Sequence, residues 1–208
     1  MPLTRDDVVR TAVEVLDERG LAGLTLRGLA TRLGVSAPTL YWHVTDKRHL
    51  LDLVAEHVLA ELPARRAPAE GEPVLDWLAE GIRVRRAALL THRDSALVVA
   101  GNRPTEDALP EIEQTLAVLV GAGLAAGEAV QVLTALGSFL LGDVLETQAA
   151  LDRPSPEHRP APTAYPHLLA AAADFGDDED RFEVGLTLML DGLRGRLASR
   201  AASGGAPN

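Results

Sequence analysis

Apolar residues along this chain recur mainly every three or four positions, the spacing that gathers them on one face of a helix. Thr4 opens the first such stretch, with Asp7 three residues on as a capping-box variant. Val8, Val9, Ala12, Val13 and Leu16 form its stripe until Gly20 ends it. Thr25 caps a second, short helix that turns Leu26, Leu29, Ala30 and Leu33 inward and stops at Gly34. Ser36 caps a third, with Pro38 in its first turn, where a missing N–H costs nothing, followed by Thr39-Leu40-Tyr41-Trp42-His43. A fourth starts at Asp46, carries Leu50, Leu51, Val54, Val58 and Leu59 inward, and ends at Pro63.

Residues 64–73, rich in Pro, Ala and charge, read as a linker. Beyond it the pattern predicts helices over residues 74–91, 94–101, 105–121, 128–151, 165–175 and 178–199. A Pro-rich loop is expected over 152–162 and a frayed tail over 201–208. The fold class expected is all-α.

Composition agrees with that pattern: of 208 residues 47% are apolar and only 3% aromatic, a balance that favours helix over sheet. Cysteine is absent, which excludes disulfides, thiolate catalysis and Cys-based zinc sites. No unbroken apolar run reaches the roughly 20 residues that span a bilayer, and the first six residues lack the apolar core of a signal peptide, so the expectation is a cytoplasmic protein with no membrane partner.

Charge changes the picture locally. The net charge is −10, an awkward sign for binding phosphates. Between Leu24 and Leu50, however, Arg27, Arg32, Lys47 and Arg48 stand against Asp46 alone. A basic footprint on an acidic body permits docking to nucleic acid in one orientation.

Gly34-Val35-Ser36 separates two short helices in the manner a helix-turn-helix requires: Gly relieves the turn, Val plugs the angle and Ser caps the next helix. That next helix concentrates Thr39, Tyr41, Trp42 and His43, groups that hydrogen-bond and stack. It can enter a major groove and read base edges. It can equally form a helix corner whose Tyr and Trp pack inside. Periodicity alone leaves the two readings even.

The run Gly23-Leu24-Thr25-Leu26-Arg27-Gly28-Leu29-Ala30-Thr31-Arg32-Leu33-Gly34-Val35-Ser36-Ala37-Pro38-Thr39-Leu40-Tyr41-Trp42-His43-Val44 resembles the DNA-binding region of the TetR family, and its last seven residues resemble the tetracycline repressor subgroup. His92-Arg93-Asp94, Arg103-Pro104-Thr105-Glu106 and Gly142-Asp143-Val144-Leu145-Glu146 look like segments of that subgroup's C-terminal domain. The resemblance spans roughly residues 5–197. It implies a helix-turn-helix DNA-binding domain over residues 1–46, a connecting helix over 47–63, a larger ligand-binding and dimerisation domain over 64–200, and a disordered tail over 201–208.

By position the resemblance assigns base-edge reading to Arg27, Ala37, Pro38, Thr39 and Trp42, with His43 near bases or backbone. It places Thr25, Tyr41 and Lys47 on phosphates, with Ser36 as the cap of the reading helix. Ala37 stands where that repressor carries a longer amide, so one base hydrogen bond gives way to apolar contact and a different operator is expected. The implied function is a repressor that binds double-stranded operator DNA as a homodimer and is released by a small-molecule effector.

In the larger domain Val99, Asn102, Arg103, Pro104, Thr115 and Glu146 fall at or near the family's ligand-contacting positions. Pro63, Gly81 and Arg85 join Val99, Asn102 and Thr115 in departing from the tetracycline repressor. Val99 replaces its magnesium-binding imidazole and has no lone pair to donate, and one retained carboxylate, Glu146, rarely holds Mg²⁺ without partners. No metal or other cofactor is expected, and an effector other than magnesium-tetracycline is; the alternative is that the space is simply filled core.

Leu133, Leu136, Leu140 and Val144 on one long helix, and Leu186, Leu190, Leu193 and Leu197 on the last, form two stripes read as a four-helix dimer interface in preference to the alternative, an intramolecular core. Rival functions have less support. His92-Arg93-Asp94 and Asp174-Phe175-Gly176 spell kinase signatures, but the position five after Asp94 is Val99 where a metal-binding Asn is needed, and no Gly-rich loop precedes them. The six histidines show no i, i+4 pair beside an acid. No catalytic residue is therefore expected. The remaining rival is a helical small-molecule-binding or interaction protein without DNA affinity.

Overall fold

The computed structural model describes residues 3–60, 66–104, 106–151, 165–173 and 176–204. Pro63, Thr105, Phe175, the loop over 152–162 and the last four residues lie outside that set.

Ten α-helices make up the described residues, together with a 3₁₀ turn at Glu106–Ala108. They are α1 (Arg5–Gly23), α2 (Leu26–Leu33), α3 (Ala37–Tyr41), α4 (Lys47–Ala60), α5 (Val74–Thr91), α6 (Ser95–Val99), α7 (Leu109–Gly121), α8 (Ala126–Leu151), α9 (Pro166–Ala173) and α10 (Asp178–Gly204). The all-α expectation holds, and the caps explain where the early helices start. Thr4 accepts from Asp7 N–H while Asp7 accepts from Thr4 N–H at 3.1 Å, a reciprocal capping box. Thr25 and Ser36 accept from Gly28 and Thr39 N–H, and Asp46 accepts from His49 N–H at 2.8 Å.

Four boundaries depart from expectation. Gly20 kinks α1 (φ 69, ψ 177) without ending it, and helical residues continue to Gly23. α6 is shorter than predicted, starting after Asp94 and stopping at Val99. A 3₁₀ turn precedes α7, because Pro110 has no N–H and is tolerated only in a helix's first turn. Finally, α10 runs to Gly204. The tail expected from residue 201 is helical at its start, Ala201 and Ala202 being good helix formers.

α1, α2, α3 and the start of α4 enclose Val8, Ala12, Leu16, Leu24, Leu29, Leu40, Val44, Leu50 and Val54, all buried. α4 continues from this small core onto α5 and α6 of the larger one. α8 is long and apolar enough to cross a membrane by length and composition, yet it packs against α5, α6, α7 and α10.

That packing corrects the predicted dimer stripes. Leu136, Leu140, Val144, Leu186, Leu190 and Leu193 are buried within the chain, and Leu133 and Leu197 pack against the same core. Those stripes join α8 to α10 inside one subunit. The large apolar side chains left outside on the two helices are Val130, Leu145 and Leu151 on α8 and Val184 and Leu188 on α10. Both helices carry apolar residues on opposite faces, and the face that meets the rest of the core is filled first.

Candidate nucleic-acid interface and effector cavity

Helix α3 is anchored by one buried side chain, Leu40, and leaves most of the others at the surface. Gly34 adopts φ 67, and the N–H groups of Gly34 and Val35 bond back to Thr31 O at 3.2 Å and Ala30 O at 3.0 Å. This left-handed cap turns the chain sharply into α3. Ser36 Oγ lies 2.8 Å from Thr39 Oγ1. Leu40 is 1% exposed and anchors the helix, whereas Tyr41 is 53% and Trp42 86% exposed. An indole so exposed contributes little to the core. Arg27, Ala37, Pro38 and Lys47 are exposed as well, as are Thr25 and Ser36, while Thr39 and His43 are half-buried. The alternative in which Tyr41 and Trp42 pack inside is therefore overturned. All ten residues expected to bind DNA belong to the stretch from the end of α1 to the start of α4.

The small domain is clasped to the large one by residues that the sequence disguised as a kinase motif. His92 Nδ1 lies 3.0 Å from Asp17 Oδ2, and Arg93 N–H donates to Asp17 Oδ1 at 3.1 Å. Asp94 accepts from Leu21 N–H at 2.7 Å. Gly20 is required here, because a Cβ would meet Asp94 Oδ2 at 2.6 Å. Gln148 of α8 donates to His92 O at 2.7 Å, so the clasp reaches the long helix too. A second link runs from α4, where Arg48 donates to Asp52 at 2.6 Å and to Gly101 O at 2.7 Å.

A cavity of about 180 Å³ lies between α5, α7 and α8. Leu78, Ile82 and Arg85 line it from α5, Glu111, Ile112 and Thr115 from α7, and Leu133, Gly137 and Leu140 from α8. Arg85 pairs with Glu111 at 2.5 Å, and Thr115 donates to Glu111 O at 3.0 Å. Of the six residues expected at the effector site, Thr115 lines this cavity. Val99 is half-buried at the end of α6, and Asn102 is half-buried with an Oδ1 that has no hydrogen-bond partner. Arg103, Pro104 and Glu146 are exposed.

Sequence reasoning did not find the polar knot of the large domain. Arg86, 6% exposed, donates to Asp143 at 2.6 Å and Glu179 at 2.5 Å and lies 4.4 Å over the Phe182 ring. Phe182 stacks on Phe139 at 5.6 Å, and Gly185 leaves room for that second ring. The knot ties α5, α8 and α10. Its only sequence signal was an arginine interrupting an apolar stretch.

Comparison with known proteins follows this division. Residues 8–54 match the family described as bacterial regulatory proteins, tetR family, and residues 67–197 match the tetracyclin repressor-like C-terminal domain. The tetracycline repressor protein class A from transposon 1721 of Escherichia coli is 39% identical over 97% of this chain and 96% of its own length. The Streptomyces coelicolor TetR family protein ActR, solved in complex with actinorhodin, superimposes with a TM-score of 0.82 at 30% identity, over 95% of this chain and 99% of its own. A variant TetR from Acinetobacter baumannii AYE in complex with minocycline gives a TM-score of 0.77 at 35% identity, over 94% and 98%.

Proposed function

The chain belongs to the TetR family of bacterial regulators and is a DNA-binding transcriptional repressor, not an enzyme; from that premise we propose that it grips a palindromic operator as a homodimer and lets go when a small molecule other than magnesium-tetracycline occupies its larger domain. The observation that carries the reading is the outward display of Tyr41 and Trp42 on a helix fixed by Leu40. Two such helices, related by a twofold axis, must stand about 34 Å apart, or a multiple, to enter successive major grooves.

The outer face of α8 and α10, with Leu188 68% and Val184 61% exposed, supports pairing with a second copy. A ligand that binds better to a conformer with the wrong spacing would shift the population away from DNA. Arg48 on Gly101 and the clasp at Asp17 and Leu21 are the connections through which α4 and α1 would feel that change.

The cavity between α5, α7 and α8 suits an apolar ligand with a few polar groups placed to meet Arg85, Glu111 and Thr115. The two solved relatives named above were found in complex with minocycline and with actinorhodin. Val99 lacks a lone pair where the tetracycline repressor has its magnesium-binding imidazole, and this weighs against magnesium-tetracycline.

Gel shift and nuclease footprinting on DNA upstream of the protein's own coding region test the proposal. A retained duplex with a symmetric footprint, undisturbed by tetracycline and Mg²⁺, is expected. An asymmetric footprint would sink the dimer, and release by magnesium-tetracycline would sink the choice of effector.

A further inference from the structure

A groove of about 510 Å³ runs between the end of α1 and the start of α2, and Arg19, Gly23, Thr25, Arg27, Gly28 and Arg32 contribute to its lining. Its charge is unusual for a chain of net −10. Three guanidiniums border one opening, and no carboxylate lines it.

Arg32 is already engaged, donating to both Glu18 oxygens at 2.6 Å and to Glu14 at 3.2 Å. Those hydrogen bonds hold the Glu18 carboxyl below its ordinary range. They also occupy both of those α1 carboxylates. Arg19 and Arg27 make no ion pair among the described residues.

Two glycines, Gly23 and Gly28, shape the groove. At the Gly20 kink the chain turns back, so that a Cβ on Gly23 would lie 2.5 Å from Arg19 Cβ. Only a glycine lets the Arg19 stem lie flat there. In α2 the third helical position is Gly28, whose N–H donates to Thr25 Oγ1 at 3.1 Å. A capping box would place an acid at that position. With glycine instead, the positive end of the α2 dipole opens into the groove without an anionic lid.

Resting on the reading of the chain as an operator-binding repressor, the geometry points to Arg19 as a further DNA-contacting residue. The groove takes a backbone phosphate beside the one assigned to Thr25, and Arg19 pairs with its oxygens while Arg27 adds positive charge at the same opening. Such a contact extends the footprint beyond the reading helix and carries no sequence information. It also strengthens the local positive field that an acidic protein needs to approach DNA.

The test is a salt titration of the full-length protein by fluorescence anisotropy, with one labelled duplex from its own upstream DNA and one scrambled duplex. Arg19→Gln is expected to weaken both duplexes by the same factor and to lower the slope of log affinity against log salt by about 0.9 per protomer. Arg19→Lys is expected to keep the wild-type slope. Melting curves that coincide with wild type exclude a folding defect, and the lysine variant supplies an independent readout if the glutamine variant is unstable, because a reduced slope with the charge kept would contradict the assignment. An unchanged slope in Arg19→Gln, or a loss confined to the upstream duplex, overturns the phosphate contact alone. A wild-type protein that binds neither duplex overturns the repressor reading with it.

Discussion

The carboxylate of Asp94 accepts the N–H of Leu21 at 2.7 Å across 73 residues of chain. Asp94 precedes α6 in the left-handed region, φ 55, and makes no side-chain cap there. Its oxygen is instead spent on the kinked end of α1, whose backbone N–H has lost its regular helical partner at Gly20.

Removing that acceptor is expected to loosen the two domains. Asp94→Ala leaves a half-buried N–H unpaired, for a cost of about 1–3 kcal/mol. Asp94→Asn, which tolerates the left-handed region and still accepts, is expected to lose less. Urea denaturation read by circular dichroism checks the order.

Tyr41→Ala is expected to weaken DNA binding several-fold or more while leaving thermal unfolding close to wild type, because more than half of the side chain is already outside the fold at 53% exposure. Gel shift together with a melting curve decides. Unchanged affinity would mean that α3 does not face DNA.

Leu188→Asp is expected to give particles of one-chain mass in light scattering and to abolish tight DNA binding, since a single reading helix forfeits half of the contacts. Leu190→Asp, only two residues away but 8% exposed, is expected to unfold the chain instead. A Leu188→Asp protein that keeps its wild-type mass would place the subunit interface elsewhere.

Truncating Arg86 strands Asp143, whose side chain is 14% exposed. Arg86→Met is expected to cost about 3–5 kcal/mol, and a second change, Asp143→Leu, is expected to recover much of it by replacing the pair with apolar packing. Denaturant midpoints of the single and double variants test the coupling.

Acid stability gives a further check. Arg83 donates to Glu183 at 2.6 and 2.7 Å and holds that carboxyl below its ordinary value of 4.5. A depressed carboxyl contributes stability that is present above its unfolded pKa and lost as pH falls through the folded one. Glu183→Gln is therefore expected to flatten the decline of melting temperature below pH 4.5 and to leave the slope near neutrality unchanged.

By itself the sequence determined what depends on neighbours three or four residues away. The caps at Thr4, Thr25 and Ser36, the turn at Gly34 and the helical periods were all legible, because each rests on hydrogen bonds or side-chain spacing within one helical turn. The resemblance added the meaning of Tyr41 and Trp42, and the exposure of those rings agrees with it. Tertiary structure decided the rest. α8 and α10 are apolar on two faces, so periodicity could not say that Leu186 and Leu190 close the subunit's own core while Val184 and Leu188 remain outside. The Asp94–Leu21 clasp and the knot at Arg86 likewise join residues tens of positions apart. No local pattern encodes such pairs, since their energy appears only once folding has brought the two segments together.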